Sequence, residues 1–421
     1  MPKTEGLYSG DPARYHLRGQ WSPWVYGMDI ESSERTIVFF DRSYGGNATE
    51  ELESYGIQVE ESYAGLGAAI VTGADARELA TLQLVGVVSD YAEDHEVTIS
   101  DETRGPYNKG THGPGSISPD PYDTGDQPEA RDVPNDWGYL RVRSAQANTK
   151  GLDGAGVKVA IFDTGIDADH EYLKDNYAGF TDLPYGKPDP YDDHGHGTHC
   201  GGIVKTVAPK VELYGYKLHM SHGANRISDI LRGLDTIVQD GMDVVNMSFG
   251  LDTDEEREGY SKEEGDRILN EACSRAYDSG VFLVAAAGND GQAADPASGR
   301  SRSAPASGPD VFAVGAMSKY NDKLAYFTNL GFDISAPGAR VLSSIPGDRY
   351  ATWDGTSMAC PFVVGAVAAV KSKYSDLSND EIKDALIASA DDASHNTYYH
   401  GLQEYKVLNL EAAADLLEDT E

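Results

Sequence analysis

Val157-Lys-Val-Ala-Ile-Phe-Asp-Thr-Gly-Ile-Asp167 is the stretch from which the fold follows. Residues 157–162 form a short run of mostly β-branched and aliphatic side chains, and the run ends in an Asp-Thr-Gly turn. Such a run, bounded by turn residues, reads as a strand buried on both faces. Asp243-Val-Val-Asn246 and Val281-Phe-Leu-Val284 repeat the pattern, and helical periodicity over 227–239 and 269–278 alternates with it. That alternation predicts an α/β domain with a mostly parallel sheet and helices on both faces. Sites in such sheets form at the carboxyl ends of the strands.

Upstream the pattern changes. Strand candidates at 35–40, 57–63, 66–71 and from Gly86 to near Ile99 are separated by helix candidates at 47–54 and 75–82. The order β-α-β-β-α-β predicts a small α+β, ferredoxin-like unit. Residues 101–133, including GPYNKGTHGPGSISPDPYDTGDQPE, are rich in Gly, Pro, Asp and Ser and read as a flexible linker open to cleavage. The expected organisation is therefore an unassigned N-terminal extension (1–32), a small domain (33–100), the linker (101–133) and a large domain (134–421).

Composition narrows the partners. The chain has 421 residues, 69 acidic against 34 basic, a net charge of −35 and 40% hydrophobic residues. Acids spread along the whole length repel nucleic acid and anionic membranes, and neither is expected as a partner. They match a protein solvated for very salty media, where screening offsets self-repulsion. No apolar run of about 18 residues is present, and the N-terminus MPKTEGLYSGDPARYHLRGQW has no signal-peptide pattern. Cys200, Cys273 and Cys360 make no disulfide framework and are expected as free buried thiols.

Four motifs carry the chemistry. Asp163-Thr-Gly follows the first strand, and Asp192-Asp-His-Gly-His-Gly-Thr-His-Cys-Gly-Gly202 comes next. Ala285-Ala-Ala-Gly-Asn-Asp-Gly291 follows the strand at 281–284, and Trp353-Asp-Gly-Thr-Ser-Met-Ala-Cys-Pro361 comes last. Pro361 suits the first turn of a helix, which places Ser357 at or beside a helix N-terminus, where free N–H groups favour negative charge. A serine nucleophile needs a histidine base, and the base needs a carboxylate to fix its tautomer. Asp163, His196 and Ser357 supply all three in the chain order Asp, His, Ser.

In that order the motifs Asp163-Thr-Gly, His196-Gly-Thr-His and Gly355-Thr-Ser-Met-Ala resemble the subtilisin-like serine proteases, in particular haloarchaeal subtilases, with an N-terminal propeptide. The resemblance covers about residues 35–410. It implies Asp163 as orienting acid, His196 as general base and acid, Ser357 as nucleophile and Asn289 as the side-chain donor of the oxyanion hole. It also implies an extended peptide substrate lying beside Ser248, Phe249 and Gly250, with Ala285, Ala286, Ala287 and Gly288 as the other wall of the pocket. Asp290 falls near the rim of that pocket. The acidic loop Asp252–Glu258 reads as a solvated surface, so broad endopeptidase activity is expected. The first domain becomes a chaperone-like prodomain that blocks the cleft and is released by self-cleavage between Ser100 and about Asp136. The resemblance favours an extracellular protein, although the chain itself shows no leader.

No cofactor is required for this chemistry. Structural calcium is typical of the family, but one common site looks lost: Tyr172 replaces the usual Asp, and Gly201–Pro209 is too short for the usual loop. Asp182, Asp189, Asp192 and Asp193 are the remaining oxygen-rich candidates. Cys360 and Phe362 replace the usual Ser and His, and Cys200 offers a thiol to mercury. Two alternatives stay open: a non-catalytic peptide-binding scaffold, and a metallohydrolase built on His194, His196 and His199.

Overall fold

The computed structural model describes residues 35–97, 99–101, 137–218, 225–251, 262–319, 322–397 and 399–420. The N-terminal extension, all but the first residue of the linker and the loop Asp252–Glu258 lie outside these residues.

The first unit has the expected order: β1 (Thr36–Phe40), α1 (Ala48–Ser54), β2 (Gln58–Tyr63), β3 (Ala68–Thr72), α2 (Ala76–Leu84) and β4 (Val88–Glu93). Its sheet runs β2-β3-β1-β4 with every pair antiparallel. Asn47 caps α1, and Asp75 with Glu78 forms a capping box on α2, so both helices start where side-chain acceptors meet their free N–H groups. Strand alternation gives this sheet two apolar faces. Val38, Ala69 and Val71 pack on Leu52, Leu79 and Leu82 of its own helices. Ile37, Phe39, Ala68 and Ile70 join a cluster with residues of the second domain, and they bury their area only while the two units are docked.

One boundary differs from the sequence reading. The last strand does not run from Gly86 to Ile99. It stops at Glu93, and the chain continues as β5 (Glu96–Val97) and β6 (Ile99–Asp101), which pair with the other domain. The break comes at Asp94, whose carboxylate accepts Ser228 N at 3.1 Å and Ser228 Oγ at 2.8 Å. That carboxylate satisfies N–H groups at the start of a helix and draws the chain out of its own sheet.

The second unit begins with α3 (Trp137–Val142) and α4 (Ser144–Thr149). Its strands and helices then alternate: β7 (Lys158–Asp163), β8 (Tyr177–Asp182), α5 (His196–Val207), β9 (Glu212–Lys217), β10 (Asn225–Arg226), α6 (Ile227–Gln239), β11 (Val244–Met247), β12 (Phe249–Leu251), α7 (Lys262–Asp278), β13 (Phe282–Ala286) and β14 (Phe312–Met317). β15 (Ile334–Pro337), the hairpin β16 (Val341–Ile345) and β17 (Arg349–Trp353), α8 (Thr356–Lys373), α9 (Asn379–Ala388), β18 (Asp391–Thr397), β19 (Gly401–Val407) and α10 (Leu410–Glu418) complete it. The nine-stranded sheet runs β18-β19-β15-β14-β13-β11-β7-β9-β8, parallel throughout except for β18. Val159 and Ile161 enter one core while Ala160 and Phe162 enter the other, as the both-faces-buried run predicts. α8 is apolar nearly all round and is buried from Thr356 to Val370, as a central helix must be.

Candidate active site

The Asp-Thr-Gly and His-Gly-Thr-His motifs meet because glycine lets their backbones touch. A Cβ on Gly197 would lie 2.1 Å from Gly165 O, and one on Gly165, at φ +121°, would lie 2.0 Å from Tyr191 O. Asp192 organises the same corner. It accepts Gly195 N at 2.7 Å and Thr198 N at 2.9 Å, and so supplies acceptors at the start of α5. The result is an ion-pair geometry with no exposed atoms: His196 Nδ1 lies 2.8 and 2.9 Å from the two oxygens of Asp163. Thr164 N donates to Asp163 Oδ1 at 2.7 Å and fixes that carboxylate.

His199 lies one turn further along α5. Its Nε2 donates to Ala351 O at 3.0 Å, and its ring stacks on Trp353 with centroids 4.5 Å apart. His196 stacks on the same indole at 6.3 Å. With Nε2 of His199 held by a carbonyl, the three histidines do not converge as metal ligands. Among the described residues the one group close enough to share an ion is Asp163, His196 and Cys200, which draws on the same Asp–His pair. The metallohydrolase reading therefore lacks its ligand set.

Burial, then the proximity of His196, lowers the His199 pKa to about 3, while its backbone contacts oppose the shift. An imidazole that ionises near pH 6.5 when unfolded stays neutral in the fold. Its contribution to stability is complete above pH 6.5 and is lost as pH falls from there towards 3. Denaturant midpoints are expected to fall across that window, and to fall less steeply in His199→Gln. Equal slopes in the two proteins would remove His199 as the cause.

Ser357 is in the first turn of α8, as expected, but the helix begins at Thr356, five residues ahead of Pro361. Proline in a helix interior leaves the carbonyl four residues back without its donor. Here that carbonyl belongs to Ser357, and it accepts Ser248 Oγ at 3.0 Å and Cys200 Sγ at 3.6 Å. In return Ser357 Oγ donates to Ser248 O at 3.0 Å. The nucleophile candidate is thus tied in both directions to the residue just before β12.

Asn289 reaches the same helix end. Its Oδ1 accepts Thr356 N at 2.9 Å and Thr356 Oγ1 at 3.1 Å. With the oxygen so engaged, the amide orientation is set by the network, and Nδ2 is the donor it presents. Ala285, Ala286, Ala287 and Gly288 are all buried beside it. Sequence reasoning missed the segment that joins the two expected pocket walls. Ser301 Oγ donates to Ala287 O at 2.7 Å and Ser303 Oγ to Leu251 O at 2.8 Å. No motif or period marks that segment. Asp290 is exposed.

β12 is not an edge. β6 pairs with it in antiparallel register, Asp101 opposite Phe249, Ser100 opposite Gly250 and Ile99 opposite Leu251. β5 pairs with β10, Val97 opposite Asn225. Residues 96–97 and 99–101 thus each pair with a different strand of the second domain.

The thiols are free and buried, as expected. Burial raises the pKa of Cys200 well above its usual value and that of Cys360 to about 12, so neither is a thiolate at neutral pH. Phe362 is buried against Gly138 of α3. The calcium candidates do not fit an ion. Asp182 accepts Tyr185 N, Lys187 N and Tyr191 OH, Asp192 holds the start of α5, and Asp193 pairs with Lys217 at 2.6 Å. Asp189 is exposed. At Tyr172 a built-in cation is present instead: Lys205 Nζ donates to Tyr172 O and lies 4.7 Å above the Tyr172 ring, whose OH bonds Thr206 Oγ1 at 2.9 Å.

A serine at a helix start, a carboxylate-bound histidine and an asparagine amide on one parallel sheet define a class of hydrolase, and comparison with known proteins agrees. The subtilase family model matches residues 154–404. The chain belongs to the subtilase family and is a subtilisin-like serine endopeptidase. It is similar to subtilisin DY of Bacillus licheniformis, 37% identical over 297 residues, which are 68% of this chain and 100% of that protein. Subtilisin BL of Lederbergia lenta is 38% identical over 295 residues, 68% of this chain and 99% of its own length. Subtilisin E of Bacillus subtilis (strain 168) is 33% identical over 297 residues, 68% of this chain and 72% of its own length.

Proposed function

We propose that the chain is a zymogen whose Ser357, His196, Asp163 and Asn289 cleave peptide bonds, and whose residues 33–100 fold as an inhibitory prodomain. Ser357 Oγ attacks the scissile carbonyl while His196 Nε2 takes its proton and later delivers it to the leaving amine. Asp163 holds the imidazole by Nδ1 and stabilises its protonated form. The Ser357 N–H and Asn289 Nδ2 stabilise the oxyanion. Substrate adds as a strand to Ser248–Gly250, with Ala285–Gly288 as the facing wall, a mode that reads backbone more than sequence and gives broad specificity.

The observation that carries this reading is the β6–β12 ladder, in which the chain's own segment takes the place of a substrate strand beside the residue bonded to Ser357. The test is intact-mass analysis of wild type and Ser357→Ala, both refolded at high salt, which the acidic surplus calls for. Wild type is expected to split near the linker and the variant to remain whole. A variant that splits equally would assign the cut to another protease.

The docking face supports the inhibitory role. Arg275 is buried on α7 and donates to Phe40 O at 2.9 Å, to Leu66 O and Gly67 O at 3.1 Å and to Ser89 Oγ at 3.0 Å, all on the small domain. Asp235 accepts Gly65 N at 2.7 Å, and Arg232 grips Glu61 at 2.8 Å. Arg275→Met leaves four acceptors without their charged donor, and hydrogen bonds to charged groups contribute about 1.5–3 kcal/mol each. Processed Arg275→Met enzyme is expected to be inhibited at least tenfold more weakly by its released prodomain, with kcat on short peptides unchanged. The inhibition constant checks it.

The described residues include no helix long and apolar enough to cross a membrane. The family resemblance and the acidic surface fit release into a salty medium.

A further inference from the structure

Lys217 ends β9 and lies in register with Asp163, the last residue of β7. Its side chain is 2% exposed. An ammonium taken out of water is costly unless its protons find partners. Its Nζ donates to Thr164 O and to Asp193 Oδ1 at 2.6 Å, and it lies 4.4 Å from the centre of the Tyr191 ring. Nothing in the peptide-bond chemistry above uses this buried charge.

Thr164, which Lys217 holds, joins Asp163 to α5. Its N donates to Asp163 Oδ1 at 2.7 Å, and its Oγ1 donates to Asp192 Oδ1 at 2.8 Å and accepts Gly197 N at 2.9 Å. With Lys217 on its carbonyl, every polar group of Thr164 is engaged. Leu218 N donates to Asp163 O at 2.7 Å. The end of β9 therefore grips two successive carbonyls, those of Asp163 and Thr164.

Several titratable groups surround the His196 imidazole. Asp163 faces it from β7, and Asp192, Asp193 and His194 precede it in the chain, the His194 ring 6.3 Å away. His199 and Cys200 follow on α5 and are both neutral at pH 7. From β17 the uncharged Trp353 stacks on it. Lys217 brings an ammonium to this corner from β9. A positive charge there favours the Asp163 carboxylate and opposes a proton on His196.

We propose that Lys217 is a positioning residue for the Asp163–His196 pair: it pins Thr164 beneath the carboxylate, and its charge lowers the pH at which His196 becomes a free base. The inference rests on the triad proposed above and adds to it a buried residue that does not reach the substrate.

The experiment follows kcat and KM of the processed enzyme on a short peptide across about pH 5–9. Lys217→Met and Lys217→Gln remove the charge, and glutamine keeps a polar atom for Thr164 O should methionine prevent folding. In both, Asp163 retains Thr164 N and His196 Nδ1, so the missing charge sets the sign. The acid limb of kcat/KM is expected to rise by about half a pH unit. Looser placement of the pair is expected to lower plateau kcat about tenfold, with KM nearly unchanged. Lys217→Arg keeps the charge and is expected to leave the limb in place. Asp193→Asn changes only an exposed partner and is expected to move the limb down. A limb unmoved in the neutral Lys217 variants, or unmoved in Asp193→Asn, overturns the proposal, as does a rise in KM at constant kcat. A His196→Ala enzyme as active as wild type overturns the triad itself.

Discussion

Ser357→Ala is expected to lower kcat by about six orders of magnitude, the loss that follows removal of the nucleophile in subtilisin itself, a relative and not this chain. The argument from this structure is local. Ser357 Oγ is presented in the first turn of α8, where it donates to Ser248 O, and the Nδ1 of His196 is bound to both oxygens of Asp163. Alanine deletes the attacking atom but leaves that pair, the Asn289 amide and the β12 ladder in place. A residual rate of about 10³–10⁴ over water is then expected from oxyanion stabilisation and binding alone. Stability should change by only about 1 kcal/mol, because one hydrogen bond to Ser248 O is lost. Single-turnover hydrolysis of a peptide and a denaturant titration check the two halves. A drop below tenfold would move the nucleophile elsewhere.

Asn289→Ala is expected to cost about 10²–10³ in kcat with KM nearly unchanged, again the scale known for subtilisin. The physical reason is that the donor acts where charge develops, not where the substrate rests. On the proposed mechanism Asn289 has two jobs, because its Oδ1 also accepts Thr356 N. Alanine removes both. Asn289→Asp separates them: it keeps an acceptor for Thr356 and places a carboxylate where the donor was. Aspartate is therefore expected to be slower than alanine, since it repels the oxyanion. An aspartate variant as fast as alanine would mean that the loss comes from disturbing Thr356. Steady-state kinetics on one short peptide decides between them.

The motifs that meet in the candidate site were readable because each follows from local chemistry. Asp163 ends a strand that must be buried, and Gly165 and Gly197 mark the close approach of two backbones. The large sheet and the small domain's order were readable from period and turn residues. What escaped the sequence depends on partners far along the chain. The start of α8 ahead of Pro361 is tolerated because Ser248, 109 residues away, replaces the missing donor. Ser301 and Ser303 carry no pattern of their own, and only their carbonyl partners give them a place beside the pocket. The break at Asp94 needs Ser228, 134 residues on. Arg275 looks like any helix-surface arginine until the carbonyls of Phe40, Leu66 and Gly67 close over it.

The ammonium at Tyr172 changes what kind of quantity governs that corner of the fold. An ion held by a protein stabilises it by mass action, through its concentration relative to its dissociation constant. A charge carried on Lys205 has no concentration and no off-rate. Dilution does not deplete it, a chelator has nothing to extract there, and swings in external calcium carry no signal to it. At this position the charge belongs to the chain itself, and it changes with mutation or with deprotonation of Lys205, which burial makes easier.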